Sequence, residues 1–192
     1  SLIIAKNFIK TSPICLVLGD NLIFGNNKEI ERKLVEANKN EKATIFVSKV
    51  KNPNQYGVIK KYNNSKSLVV EKPKKFISNK AVIGIYFYPN KAISFARKLK
   101  PSKRNELEIT DLNNIFLKLG EMNIKLFSKQ VFWYDAGTHI NYFQVSKKIY
   151  DYEINKGFKV GNVHMAALKK GLISKKKFNY LASKYNKSTY FS

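Results

Sequence analysis

The sequence predicts an α/β fold, and three observations lead there. Short apolar segments rich in β-branched and aromatic residues alternate with segments of helical period along all 192 residues. Ile14 to Gly19 is an unbroken apolar run (ICLVLG), the pattern of a parallel-sheet strand buried on both faces. Ala81 to Tyr88 (AVIGIYFY) is a second and stronger strand signal, ended by Pro89-Asn90.

Taken in order, Leu2 to Lys10 reads as the tail of an amphipathic helix, broken by Thr11-Ser12-Pro13. After the Ile14 strand, Gly19-Asp20-Asn21 has turn chemistry. Asn26 and Asn27 offer caps for a helix to about Asn38, with Ile30, Leu34 and Ala37 at helical spacing. Ala43 to Val50 is the next strand. Tyr56 to Tyr62 and Ser67 to Glu71 flank the hairpin-turn residues Asn63-Asn64-Ser65 and read as an antiparallel flap beside the main sheet. Beyond Tyr88, a helix carrying Ala92, Ile93, Ala96 and Leu99 stops before Pro101. Leu107 to Leu119 is helical and closed by Gly120. Ile124 to Phe127 and Val131 to Tyr134 are strands. A long helix from about Thr138 to Asn155 ends at Gly157, and Val163 to Tyr185 holds two shorter helices divided near Gly171.

Composition narrows the function classes. An apolar share of 44% supports a sizeable core. The single cysteine, Cys15, rules out a disulfide framework and reads as a small buried hydrophobe in a reducing compartment. No apolar run approaches the length of a membrane span, and the start has no signal-peptide pattern, so a cytoplasmic protein with no membrane partner is expected. The net charge of +23 comes almost wholly from lysine; Arg32, Arg97 and Arg104 are the arginines. The lysines are dispersed rather than gathered in a stripe, which reads as a solvated surface and weighs against nucleic acid as a partner. A non-catalytic, lysine-rich protein that binds polyanions or nucleic acid is the alternative class.

The chain has four aspartates, and two of them, Asp20 and Asp135, end apolar strands. Mg²⁺ in phosphate chemistry takes one or two carboxylates and completes its octahedron with phosphates and waters. Asp20 and Asp135 are placed for that if their strands lie close, and Gly137-Thr138 opens a helix whose amides favour anions. Asp135 or Thr138 could equally be a helix cap. In Glu71-Lys72-Pro73 the proline is expected to keep the pair extended, with a carboxylate for sugar hydroxyls and an ammonium for phosphate, or simply two solvated charges. Arg104 can grip a phosphate with two bonds and Glu106 can reach hydroxyls, although acidic residues also favour a first helical turn. His139 and His164 have no metal spacing, and no G-x-S-x-G, H-E-x-x-H, C-x-x-C or glycine-rich phosphate loop occurs.

Six segments in this order resemble the glucose-1-phosphate thymidylyltransferases, sugar-phosphate nucleotidyltransferases of dTDP-rhamnose and surface-polysaccharide precursor synthesis. They are Leu16-Val17-Leu18-Gly19-Asp20-Asn21, Gln55-Tyr56-Gly57-Val58, Glu71-Lys72-Pro73, Ala81 to Tyr88, Glu106-Leu107-Glu108-Ile109-Thr110-Asp111 and Trp133-Tyr134-Asp135-Ala136-Gly137-Thr138. The resemblance implies a Rossmann-like doubly wound mixed sheet of the nucleotide-diphospho-sugar transferase type, with a small antiparallel flap and C-terminal helices. It implies a domain over 1–158, without the family's first strand and glycine-rich loop, and a helical extension over 159–192 packed on it. It also implies dTTP and glucose 1-phosphate as substrates, with Mg²⁺ on Asp20 and Asp135. Gly57, Glu71 and Val82 would line the sugar pocket, Lys72 and Arg104 would meet the sugar phosphate, Glu106 would assist, and Trp133 would wall the site. A homo-oligomer is expected, a tetramer in the complete family member, with this chain a fragment inactive alone. Ala136 stands where the family has threonine.

Overall fold

The computed structural model describes residues 2–62, 66–102, 105–157 and 159–185. The expected hairpin turn at Asn63-Asn64-Ser65, the phosphate-binding Arg104 and the domain boundary at Phe158 lie outside them. In chain order the elements are α1 (Lys6–Ile9), β1 (Ile14–Val17), β2 (Asn21–Gly25), α2 (Asn27–Asn38), β3 (Ala43–Lys49), a 3₁₀ turn (Pro53–Gln55), β4 (Val58–Lys61) and β5 (Ser67–Val70). Then come β6 (Lys80–Tyr88), α3 (Ala92–Arg97), α4 (Ile109–Lys118), β7 (Met122–Leu126), β8 (Val131–Asp135), α5 (His139–Lys156), α6 (Val163–Lys169) and α7 (Lys175–Lys184). The chain forms two compact units, Ser1–Tyr134 and Asp135–Ser192.

The first unit is built on β6, whose alternating residues feed two cores. The main sheet runs β5-β4-β6-β3-β7, with β1 also paired to β6. β3 and β7 are parallel; β1, β3 and β4 all run antiparallel to β6. On one face, Ala43, Ile45, Val47, Tyr86 and Tyr88 pack with Ala92, Ile93 and Ala96 of α3 and Leu112 and Phe116 of α4. On the other, Phe46, Ile83 and Ile85 pack with Ala37 of α2, Phe127 and Val131. Phe46 and Ile83 are fully excluded from water, and burial of such side chains stabilises by about 2–3 kcal/mol each. The fold is therefore a mixed α/β arrangement with helices on both sides of a mixed sheet.

Three expectations are corrected here. β1 is not a parallel strand buried on both faces. Its partner is antiparallel β6, and Val17 is 55% exposed because no second strand is paired to its other edge among the described residues. Cys15 is consequently exposed rather than buried, since it alternates with the inward-facing Ile14. The hairpin β4–β5 is antiparallel as expected, but it is continuous with the main sheet through Val58 opposite Ala81.

β2 was not expected, because its residues directly follow turn chemistry and its partner β8 lies more than a hundred positions away. It pairs with β8 in a separate two-stranded sheet. Stacking of Phe24 on Tyr134 and contact with Phe132, both at 5.7 Å between centroids, support that pair. The caps follow local chemistry. Asn26 accepts from the amide of Glu29 at the start of α2.

In the second unit, Thr138 accepts from Asn141 at the start of α5, which ends at Gly157 in the left-handed region at φ +66°. Asn162 and Ser174 cap α6 and α7 in the same way as Thr138. Glu153 accepts from the amide of Val160 and pairs with Lys159, folding the chain back after α5. Among the described residues no helix is long and apolar enough to cross a membrane.

Candidate active site at an interrupted sheet edge

β1 and β4 share one edge of β6 and lie end to end along it. β1 stops with Val17 opposite Ile85, and β4 starts with Val58 opposite Ala81. Between them the edge is open across Val82–Gly84, an interval of about 10 Å at ~3.4 Å per residue. The backbone groups exposed there are met from both ends. The amide of Leu18 donates to the carbonyl of Gly84 (2.9 Å), and the amide of Val82 donates to the carbonyl of Gly57 (2.8 Å).

From the β1 side comes Asp20, exposed at the turn into β2. Its Oδ1 accepts from Asn21 Nδ2 at 2.8 Å. Asn21 is the hub of this half of the site. Its Oδ1 accepts from the Gly84 amide (2.9 Å) and from the Trp133 indole Nε1–H (2.7 Å). Gly84 is required for this: a Cβ there would stand 2.6 Å from Asn21 Cγ. Trp133 in turn lies edge-on to Tyr56, with centroids 4.9 Å apart.

From the β4–β5 side come Gly57, Glu71 and Lys72. Glu71 Oε2 accepts from Thr110 Oγ1 at 2.5 Å. A Cβ on Gly57 would approach Glu71 Oε2 to 3.0 Å, Val69 Cγ1 to 3.1 Å and Thr110 Oγ1 to 3.3 Å, so the bare glycine lets these groups close together. The Lys72 amide donates to the Tyr56 carbonyl at 3.1 Å, which folds the Glu71–Lys72 corner back over the start of β4. Lys72 is exposed and sits at φ +40°. Its expected extended conformation before Pro73 is therefore overturned: the tie to Tyr56 and the buried Pro73 hold it in the left-handed region. Tyr86 lies within electrostatic reach of both halves. Burial pushes its phenol well up, and the charges of Glu71 and Asp20 push it the same way.

The structure thus brings Asp20, Gly57, Glu71, Lys72, Val82 and Trp133 to one stretch of sheet edge. Arg104 is outside the described residues. Glu106 is exposed in the turn before α4, where its carbonyl accepts from the Ser102 amide. The expected helix start at Leu107 moves to Ile109, so Glu106 and Glu108 precede the helix and Asp111 is the acidic residue of its first turn. Asp135 belongs to the second unit, where its Oδ1 closes a turn by accepting from the Gly137 amide at 2.7 Å. Sequence reading missed the roles of Asn21 and Thr110. Both sit inside segments singled out for their neighbours, and nothing local says that an uncharged side chain will hold a carboxylate.

A family model described as nucleotidyl transferase matches residues 1–152. The chain belongs to the nucleotidyl transferase family. Over 98% of its length, this member of the nucleotidyl transferase family is 34% identical to glucose-1-phosphate thymidylyltransferase of Neisseria meningitidis serogroup A and 35% identical to that of Xanthomonas campestris pv. campestris. It spans 65% and 64% of those proteins. Among solved structures it is similar to a Bacillus anthracis chain assigned as a glucose-1-phosphate thymidylyltransferase and crystallised with sucrose. That match has 35% identity and a TM-score of 0.62, and covers 74% of this chain and 56% of the other. A UDP-glucose pyrophosphorylase complexed with UDP-glucose shares the fold at 24% identity and a TM-score of 0.68, over 79% of this chain and 61% of that one.

The donors of this nucleotidyl transferase family member suit a hard divalent cation. Asp20 offers a solvent-facing carboxylate oriented by a neutral amide. Among the described residues no three His, Cys, Asp or Glu side chains gather as a metal cage. A site of one or two carboxylates is what Mg²⁺ uses when phosphates complete its shell.

Proposed function

We propose that this chain carries the sugar-phosphate half of a nucleotidyltransferase that joins dTTP to glucose 1-phosphate, giving dTDP-glucose and pyrophosphate for dTDP-rhamnose and polysaccharide synthesis. The observation that supports it is the meeting of Asp20–Asn21 with Gly57–Glu71–Lys72 at the opening in the edge of β6. A phosphate oxygen of glucose 1-phosphate attacks the α-phosphorus of dTTP; that P–O bond forms as the bond to the β-phosphate oxygen breaks, and pyrophosphate leaves with the electron pair. No proton need move at the reacting phosphorus, so the protein acts by positioning and by charge.

Glu71 accepts hydrogen bonds from sugar hydroxyls. The Lys72 ammonium meets the sugar phosphate, with Arg104 beside it. Gly57 and Val82 let the sugar approach the backbone, and Trp133 forms a wall. Asp20 would hold Mg²⁺, which when bound neutralises triphosphate charge as it shifts toward the leaving group. Glu106 assists at the sugar. A cytoplasmic homo-oligomer is part of the same reading.

The 192 residues hold no phosphate-cradling glycine loop, so the direct test on this polypeptide is sugar-phosphate binding. Calorimetric titration with glucose 1-phosphate in Mg²⁺ should saturate at one site, and Lys72→Ala should weaken it at least tenfold. Binding that is absent, or that ignores Lys72 and falls steeply with salt for any polyanion, would overturn the proposal.

A further inference from the structure

We propose that Thr110 is a positioning residue that sets the bearing of the Glu71 carboxylate, and through it which sugar epimer the cleft accepts. The inference rests on the reading of Glu71 as the sugar-binding carboxylate and goes beyond it. Thr110 is 5% exposed, in the first turn of α4, and its hydroxyl has one hydrogen to donate. That hydrogen goes to Glu71 Oε2 across 39 residues of sequence. One helical turn on, Asn114 grips the same strand: its Oδ1 accepts from the Val69 amide at 2.8 Å and its Nδ2 donates to the Val69 carbonyl at 2.9 Å. Thr110 and Asn114 lie four apart on one face of α4, so the helix holds the outer edge of β5 as a neighbouring strand would.

The opposite side is closed by Gly57, where a Cβ would stand 3.0 Å from Oε2. Oε2 is therefore held between a helix hydroxyl and a backbone. The left-handed Lys72 that follows Glu71 fixes the corner from which the side chain emerges. Discrimination between hydroxyl epimers depends on such fixed acceptors, because a carboxylate free to swing can follow either hydroxyl. A neutral donor suits the task, since a lysine or arginine in its place would cancel the charge that attracts the hydroxyls.

The test uses Thr110→Val, which keeps the shape and removes the donor, and Thr110→Ser, which restores it. Calorimetry measures binding of glucose 1-phosphate and galactose 1-phosphate, and Tm is read in parallel. Thr110→Val should weaken glucose 1-phosphate binding about tenfold and narrow the preference over galactose 1-phosphate; Thr110→Ser should recover both. If Thr110→Val lowers Tm but leaves the ratio between epimers unchanged, Thr110 is only structural and the inference fails while the function stands. If the unmodified chain binds neither sugar phosphate, function and inference fall together.

Discussion

Gly84→Ala tests the geometry of the site at its hub. The added Cβ would lie 2.6 Å from Asn21 Cγ, 2.7 Å from Oδ1 and 2.8 Å from Nδ2. The whole amide group is in the way, so a small rotation does not relieve the clash. Expelling it breaks the bonds from Gly84 N and Trp133 Nε1 and the one to Asp20. At about 1 kcal/mol each, with the indole and a buried backbone amide left unpaired, the loss is about 3 kcal/mol. Trp133 is the single tryptophan, so its fluorescence reports on this site while urea unfolding gives the energy. Gly84→Ala should lower stability by about 3 kcal/mol and shift the native emission to the red. Asn21→Ala removes the obstructing amide. In that background Gly84→Ala should cost less than about 1 kcal/mol, a coupling near 2 kcal/mol. Additive losses, or an unchanged emission, would refute the placement of Asn21 against Gly84.

Three further outcomes are expected. Lys72→Gly should be more stable than Lys72→Ala by about 0.5–1 kcal/mol, because relief of left-handed strain exceeds the added freedom of the unfolded chain; both should lose glucose 1-phosphate binding, as urea melts and calorimetry will show. Tyr88→Phe should cost about 1–3 kcal/mol in urea unfolding: the Tyr88 hydroxyl donates to the buried Asn113 Oδ1 at 2.6 Å, and Asn113 Nδ2 has no partner among the described residues. Burial pushes the Glu29 carboxyl up, but Lys33 and Ser128 outweigh it and hold it down to about 2, against an ordinary 4.5. A depressed carboxyl stabilises the fold above pH 4.5 and loses that contribution as pH falls toward 2. Glu29→Gln should therefore cost no more than roughly 1 kcal/mol at pH 7 and reduce the loss between pH 5 and pH 2, read from urea midpoints; parallel pH curves would contradict this.

Much of the fold was legible because it is local. Asn26, Thr138 and Gly157 mark the ends of α2 and α5 through groups within four residues of one another. Ala43–Lys49 and Lys80–Tyr88 declared themselves by β-branched and aromatic content. β2 did not: NLIFG is held by a partner more than a hundred residues away, and it directly follows turn chemistry. β1 was read as parallel and doubly buried because an apolar run carries no sign of its partner's direction or of an unpaired edge. At Lys72 the proline rule gave the wrong backbone, since two tertiary contacts outweighed a local preference.

By itself the sequence determined which groups were candidates for the chemistry: carboxylates following apolar strands, a glutamate–lysine corner and, through the family resemblance, Gly57 and Trp133. Side-chain chemistry and chain spacing are enough for that. Only tertiary structure decided that β1 and β4 share one edge of β6 with an opening between them, that Asn21 is held by Gly84 and Trp133, and that Thr110 is the neutral donor to Glu71. The bonds to Asn21 and Glu71 join residues 39 to 112 positions apart. No local propensity encodes such pairings, because their energy is gained only once the sheet has formed.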